Sequence, residues 1–533
     1  MLPEAGRFRL RDVQLTLDED AASLPGKVAA RFGLAAGEII DCRLVRQGLD
    51  ARKKSRICHV CTVDFVVADP TGFWQQHQGA PDLAPVEPEP AITRRQIASD
   101  KRVIIVGTGP AGLFAALRLT DYGIRPLVLE RGQGIEQRVR AVERFWQTGQ
   151  LDPESNVQFG EGGAGTFSDG KLTTRVRDPN AGYVLRRFVE FGAPEQIGWL
   201  AKPHIGTDRL RLVLINLRRH LLACGAEVRF GARLSGIVES GRTVRAAIVN
   251  DRDEEPCDHL ILAPGHSSRD TYAMLDRLGV PLEQKAFAVG FRVEHPQELI
   301  NAIQYGRPAD PRLPAADYGL AWNDTASGRS AYSFCMCPGG LVIGCSSEPE
   351  TVVTNGMSNL RRNSGWANSA LVTTVKTADF PGSSPLAGIE LQRSLERAAY
   401  QAGGSSYRAP AQNLLGFLGQ GRLAPAATSF RPGVTEADLA GLLPPAMAET
   451  LRHGIRHFDR KMRGFVTAEA TLLGVESRTS APLRIIRGEN CESTGLAGFY
   501  PCGEGAGYAG GIMSAALDGI RVADAIAARM EQQ

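Results

Sequence analysis

No stretch of this 533-residue sequence is apolar for long enough to cross a membrane. The best candidate, Val103 to Leu117, is uncharged for only 15 residues, against the ~20 that a spanning helix needs. Gly107, Gly109, Pro110 and Gly112 also interrupt it. The opening MLPEAGRFRL has no apolar core of the secretory kind, so the expected location is the cytoplasm. Neither sign of charge is in real excess. The 61 Lys and Arg against 58 Asp and Glu leave a formal +3, too little to imply a polyanion partner. The ten cysteines follow no disulfide-framework spacing, which fits a reducing compartment. Cys58-His-Val-Cys61 lacks a second pair, and its thiols would face opposite sides of a strand, so no metal is expected. No internal repeat is present.

What is there is the balance of an ordinary globular chain, 43% hydrophobic and 22% charged, and long enough for two or three domains. DVQLTL, EIIDCRLV and RICHVCTVDFVV read as strands and AASLPGKVAARFG as a helix, giving a small α+β module over residues 1–76. The Pro-rich HQGAPDLAPVEPEPA, His77 to Ala91, predicts a linker within 77–100. An α/β nucleotide-binding domain is expected over 101–286 and again over 451–533. A substrate domain of strands and glycine turns is inserted over 287–450. HIGTDRLRLVLINLRRHLLACG predicts an amphipathic helix capped by Thr207 and ended by Gly225, with Leu210, Leu214, Leu217 and Leu221 on one face.

The apolar run that fails as a membrane span makes sense as a phosphate cradle. KRVIIVG is a buried parallel strand, followed at once by Gly107-Thr-Gly109-Pro110-Ala111-Gly112 and a helix. The first glycine allows the tight turn, the second lets backbone approach a pyrophosphate, and the third lets helix pack on strand. The helix N-terminus offers unpaired N–H groups and partial positive charge. A second strand, RPLVLE, ends at Glu130, 18 residues past Gly112, where a carboxylate can accept bonds from ribose hydroxyls.

The C-terminal segment separates FAD from NAD. GFYPCGEGAGYAGGIMSAALDGIRVADAI reads as strand, glycine loop and long helix, and it sets Glu504 beside a second helix N-terminus. Backbone N–H groups near Gly510, Gly511 and Ile512 would face the flavin N1–O2 edge, where charge gathers on reduction. LILAPG, Leu260 to Gly265, supplies a strand and turn between the halves.

The whole arrangement resembles the two-dinucleotide-binding-fold flavoproteins, and more narrowly the uncharacterised bacterial FAD-dependent dehydrogenases. The matching segments are NVQFGEGGAGTFSDGKL, KPHIGTD, YSFCMCPGG, NGMSNLRRNSGWANSA, YRAPAQ and LLGVESRTSAPLRIIR, together spanning nearly the full chain. The resemblance implies a discontinuous Rossmann-like FAD-binding domain with an inserted α+β substrate domain. It also implies that FGEGGAGTFSDGKL lies along the pyrophosphate and flavin, with Gly163, Ser168, Asp169 or Lys171 toward the cofactor. Many flavoproteins carry Asp where this chain has Glu504. The expected FAD-binding set is completed by Arg131 and Gly503.

Candidate groups for chemistry are fewer. Cys335-Met-Cys337-Pro-Gly-Gly can be a redox pair, since residues two apart on a strand share a face. The neighbouring sequence offers no cation to lower a thiol pKa, and the alternative is two inert buried residues before a turn. His204 and His295 are candidate acid–base groups or anion contacts, and the alternative for each is an ordinary interface histidine. Arg478, helped by Arg484 or Arg487, is a candidate for an anionic substrate, with a loop ion pair as the alternative. The run Arg52-Lys-Lys-Ser-Arg56 reads as a solvated face or an anion contact. The only candidate for a separate nicotinamide fingerprint, LGQGR at Leu418 to Arg422, lacks the strand before it and the third glycine. The expected activity is hydride transfer between flavin N5 and a small-molecule substrate, with NAD(P)H as a transient reductant. The alternatives are a tRNA-modifying FAD protein, a flavin monooxygenase, or FAD as a structural or sensing group.

Overall fold

The computed structural model describes residues 6–87, 95–174, 176–421 and 424–532. Its N-terminal module is an antiparallel sheet in the spatial order Ile39–Asp50, Cys58–Val67, Arg7–Leu15, Leu83–Pro85. Helices Leu24–Phe32 and Pro70–His77 complete it, and Phe8, Phe32, Phe65 and Phe73 meet in its core. The stretch expected to be a linker therefore begins differently. Residues 77–78 close a helix, and Leu83–Pro85 is an edge strand paired with Phe8–Leu10. The rest of that stretch, residues 88–94, lies outside the described residues.

The central unit is a five-stranded parallel sheet in the order Phe499–Pro501, His259–Leu262, Val103–Val106, Leu127–Glu130, Glu227–Phe230. Its inner strands Val103–Val106, Leu127–Glu130 and His259–Leu262 are buried at every position because both faces are covered, whereas the edge strand Glu227–Phe230 is partly exposed. Val103, Ile105, Val128 and Ile261 point to one side, under helices Pro110–Asp121 and Ile512–Glu531. Ile104, Val106, Leu129 and Leu262 point to the other, under the antiparallel strands Leu234–Ser240, Thr243–Val249 and Asp253–Pro256. Val103–Val106 is central, and the chain leaves it in opposite directions on its two sides. That makes its C-terminal end the topological switch point where such sheets bind ligands.

Helix Thr207–Ala223 buries Leu210, Leu214, Leu217 and Leu221 as its periodicity requires. Its cap is Gly206 rather than Thr207. Thr207 is the first helical residue, and its hydroxyl donates to the Thr166 carbonyl at 2.6 Å.

A seven-stranded sheet forms the second large unit, in the order Ala321–Asp324, Arg329–Cys337, Trp366–Val375, Phe287–Pro296, Thr471–Glu476, Ala409–Asn413, Val434–Glu436. The boundary expected at residue 450 is overturned, because it falls inside helix Pro445–Lys461. Thr471–Glu476, placed by the sequence in the returning nucleotide domain, pairs antiparallel with Phe287–Pro296 in the middle of this sheet. Its apolar residues Leu472, Leu473 and Val475 need that core to be buried. Among the described residues, no helix is long and apolar enough to cross a membrane.

Candidate cofactor and active site

The first glycine loop leaves Val103–Val106 at the switch point. Gly107 sits at φ +101°, and a Cβ there would lie 2.2 Å from the Ala263 carbonyl oxygen. A Cβ on Gly112 would lie 1.9 Å from the Gly107 carbonyl oxygen. These two positions admit only glycine, for backbone reasons. Gly109 differs: nothing lies within 4 Å of where its Cβ would be, and its backbone faces open space. Pro110 opens the helix, where a missing N–H costs nothing.

That open space is a cavity of about 720 Å³, within the ~300–1,000 Å³ typical of cofactor sites. Both glycine-opened helices aim their N-termini into it, through Gly109, Pro110 and Ala111 on one side and Gly510, Gly511 and Ile512 on the other. Gly265, Gly510 and Gly511 also have nothing within 4 Å of an added Cβ. The second glycine loop closes the cavity from above, with Gly163 close enough that its Cβ would come within 3.2 Å of the Gly109 Cα. Gly503 and Gly112 do not line the cavity. Gly503 makes room for Ala111, whose Cβ would be 2.6 Å from one placed there.

Two lining carboxylates behave differently. Glu130 is buried, and each of its oxygens accepts two protein donors. One takes Thr108 N at 2.9 Å and Thr108 Oγ1 at 2.7 Å, the other Gly132 N and Gly160 N at 2.9 Å each. It therefore ties three loops together at the rim and is saturated by the protein, where ribose hydroxyls were expected as its partners. Arg131 beside it stacks over Phe159 at 4.1 Å and pairs with Glu154 and Asp270. Glu504 has no such support. Burial pushes its carboxyl up to about 7, against the pull of Lys285. His266 Nε2 lies 3.8 Å from Glu504. Burial, with Arg478 and Arg269 nearby, takes that histidine down to about 3, so the approach is not an ion pair.

In the second glycine loop, Ser168 is turned inward. It donates to the Gly165 carbonyl at 2.7 Å and accepts from Gly170 N at 3.0 Å. Asp169 is engaged by Arg362 and by Ser358. Lys171 is half-buried, 4.0 Å from Asp169, and lines the cavity. Sequence reasoning missed Arg138. Fully buried, it donates to the carbonyls of Asn156, Val157 and Glu161 and holds this loop in shape. In the sequence it is one arginine of an amphipathic helix, with nothing to mark it.

At the far end the cavity reaches Phe334, Cys335, Asn355, Glu476, Arg478 and Thr479 of the seven-stranded sheet region. Cys335 and Cys337 do not share a face. A bulge shifts the register between Phe334 and Cys337, with Cys335 at φ +44°. Cys335 lines the cavity, while Cys337 is fully buried behind it and its thiol donates to the Cys335 carbonyl at 3.4 Å. Nor is the neighbourhood without a cation. Arg292 donates to the Cys335 carbonyl at 3.0 Å while held by Glu476 in a two-pronged pair at 3.0 and 2.6 Å. The Cys337 thiol, then Lys171 and Arg292, lower the Cys335 thiol against the effect of burial. Cys337 is correspondingly raised.

The five other candidate side chains are engaged by the protein itself. Arg478 lines the cavity, but its guanidinium is taken up by Glu396 at 3.0 and 2.9 Å and by Ser347, so it is a buried structural ion pair and not an open anion site. His204 lies outside the lining, with Nε2 3.0 Å from the Leu360 carbonyl, and burial lowers it. His295 is fully buried in the core, 2.8 Å from the Phe465 carbonyl, and burial takes it down to about 4. Arg484 pairs with Glu283 and Arg487 with Asp518, both outside the lining. Leu418–Gly421 follows a one-turn helix and lies outside the lining, and Arg422 is outside the described residues.

Three lengths of the chain match known family models. Residues 286–479 match the C-terminal domain of an FAD-dependent protein, 100–144 an FAD-binding domain, and 8–66 a domain of unknown function. An uncharacterised protein of Clostridium beijerinckii is 43% identical over 524 residues, covering 97% of this chain and 98% of its own. Among solved structures, similarities are remote. A triple mutant of a flavin-dependent brominase is 13% identical, covering 81% of each chain at a TM-score of 0.37. A glycerol-3-phosphate dehydrogenase from Bacillus halodurans complexed with FAD is 13% identical, covering 82% of this chain and 66% of that one at 0.36. A geranylgeranyl bacteriochlorophyll reductase-like protein from Thermoplasma acidophilum is 12% identical, covering 81% and 79% at 0.36. The assignment rests on the family models and the Clostridium relative. The lining fits the cofactor that the models imply: bare glycine backbone and two helix N-termini for anionic groups, in one cavity of about 720 Å³. The chain belongs to the same family as the Clostridium protein, a family of FAD-dependent flavoproteins.

Proposed function

We propose that this flavoprotein is an oxidoreductase that passes hydride between FAD and a small molecule. The observation that supports it is the continuity of one cavity, from the two helix N-termini to a pocket end lined by Cys335, Asn355 and Glu476. FAD, when bound, supplies a two-electron acceptor and donor. The protein supplies placement and electrostatics. The backbone N–H groups of Gly109 and Ala111 would hold the diphosphate, and those of Gly511 and Ile512 would favour negative charge at the other end, Gly510 N already donating to Ser514 Oγ at 3.1 Å. The Glu504 carboxyl, at about 7, both holds and releases a proton near neutral pH, and neutral His266 lies beside it. Among the described residues there is one parallel nucleotide-binding sheet, and a reduced nicotinamide nucleotide acting as reductant would enter from the substrate side.

The first test is the visible spectrum. Purified full-length protein should be yellow, or become so on adding FAD, and should bleach anaerobically with a substrate or with NADH or NADPH. A colourless protein that stays colourless with FAD ends this reading.

A further inference from the structure

We propose that Cys335 and Cys337 are a redox-active dithiol–disulfide pair that exchanges two electrons with FAD in the adjoining cavity. The proposal rests on the oxidoreductase reading of that cavity and adds a second electron carrier to it.

Placement comes first. Cys335 lies in the same cavity lining as Lys171, Glu504 and Ile512, and Cys337 stands directly behind it, shut off from solvent. Geometry comes second. In a regular strand, residues two apart are separated by ~6.6–6.8 Å, at the far limit for a disulfide. Here the ladder is not regular: the register shifts between Phe334 and Cys337. Cys335 takes a left-handed conformation that non-glycine residues rarely adopt, and the Cys337 thiol folds back to within 3.4 Å of the Cys335 carbonyl. A strained, functionally placed bulge is a recurrent way of aiming a side chain into a site.

Charge comes third. Lys171 reaches the site with Asp169 4.0 Å away, and Asp169 is already held by Arg362. Arg292 stands on the other side. These favour a thiolate on Cys335, which is the reactive form. Elsewhere burial prevails over nearby arginines, pushing the Cys257 and Cys345 thiols up to about 12 despite Arg102 in one case and Arg478 and Arg292 in the other. Cys335 differs in having the Cys337 thiol beside it to donate to its sulfur.

The step balances without any further reagent. The Cys335 thiolate and the Cys337 thiol form one Sγ–Sγ bond, and the S–H bond of Cys337 breaks. The two electrons and that proton pass to oxidised FAD, giving the two-electron-reduced anionic flavin. The reverse reaction restores thiolate, thiol and oxidised FAD.

The test is an anaerobic dithionite titration of the air-oxidised, FAD-loaded full-length protein, beside Cys335→Ser and Cys337→Ser. The wild type should consume twice as much dithionite per FAD as either variant, because only it carries the disulfide. Equal consumption by all three overturns the proposal. Should the variants fail to fold, alkylation of the wild type decides alone. Residues 335 and 337 should be unmodified, in a peptide two hydrogens lighter, before dithionite, and alkylated after it. Alkylation of both in the oxidised protein overturns the proposal. A protein with a flavin spectrum and no second pair of electrons loses this inference only, whereas a protein without flavin loses the oxidoreductase reading itself.

Discussion

Gly519 and Ala111, 408 positions apart in the sequence, lie backbone against backbone. A Cβ at Gly519 would be 2.1 Å from the Ala111 carbonyl oxygen and 3.1 Å from Ala115 N. This contact lets helices Pro110–Asp121 and Ile512–Glu531 cross closely enough to open on one cavity. Gly519→Ala must therefore push the helices apart. Overpacking of this kind costs about 1–3 kcal/mol. We expect a lower Tm and faster loss of FAD on gel filtration, with both effects larger for Gly519→Val.

Gly107 and Gly109 belong to one motif but should fail differently. An alanine at 107 meets both a left-handed φ and the Ala263 carbonyl, so Gly107→Ala should lower apoprotein stability. An alanine at 109 meets only open space, the space a diphosphate would fill. Gly109→Ala should leave the apoprotein Tm unchanged and weaken FAD binding at least tenfold, about 1.4 kcal/mol. Thermal melts and fluorescence titration with FAD separate the two.

The glycine fingerprint was legible because its constraints are local. Each glycine answers a steric demand set within a strand–turn–helix unit, so spacing alone carries the information. The bulge at Cys335 was not legible, since alternation along a strand assumes a regular ladder and the irregularity is set by pairing with Trp366–Val375. The charges around it come from Lys171 and Arg292 on other elements, and no local reading of YSFCMCPGG contains them. The ion pair weighed for Arg478 is what the structure shows, but its partner Glu396, 82 residues away, was not legible for the same reason. The domain boundary failed because Thr471–Glu476 inserts between strands that precede it by more than a hundred and by about sixty residues.

The cluster around Glu396 predicts acid lability. Burial alone would raise Glu396, but Arg269 and Arg478 outweigh it and hold the carboxyl well below the usual range. Glu348 is likewise brought down to about 2 by Arg393 and Arg269, against burial. A carboxylate with a depressed folded pKa contributes stability that is full above its unfolded value and is lost as pH falls through the folded one. Stability should therefore fall between about pH 4.5 and pH 2. Glu396→Gln, which leaves two buried guanidinium groups without their shared counter-charge, should cost about 3–5 kcal/mol at neutral pH. Denaturant melts of the wild type and variant across pH check both statements.

Glu504 predicts the opposite slope. Its folded pKa is raised by burial to about 7, so between the ordinary carboxylate value and pH 7 the native state holds a proton that the unfolded chain has lost. Linkage then makes stability decline as pH rises through that window, by on the order of 3 kcal/mol in all. Glu504→Gln keeps a neutral side chain of the same shape and removes the titration. The variant's apoprotein should match the wild type near pH 4.5 and be the more stable of the two above pH 7. A wild-type stability curve that stays flat from pH 5 to 7 would show that the carboxyl is solvated well enough to ionise normally, and would remove the case for Glu504 as a proton holder.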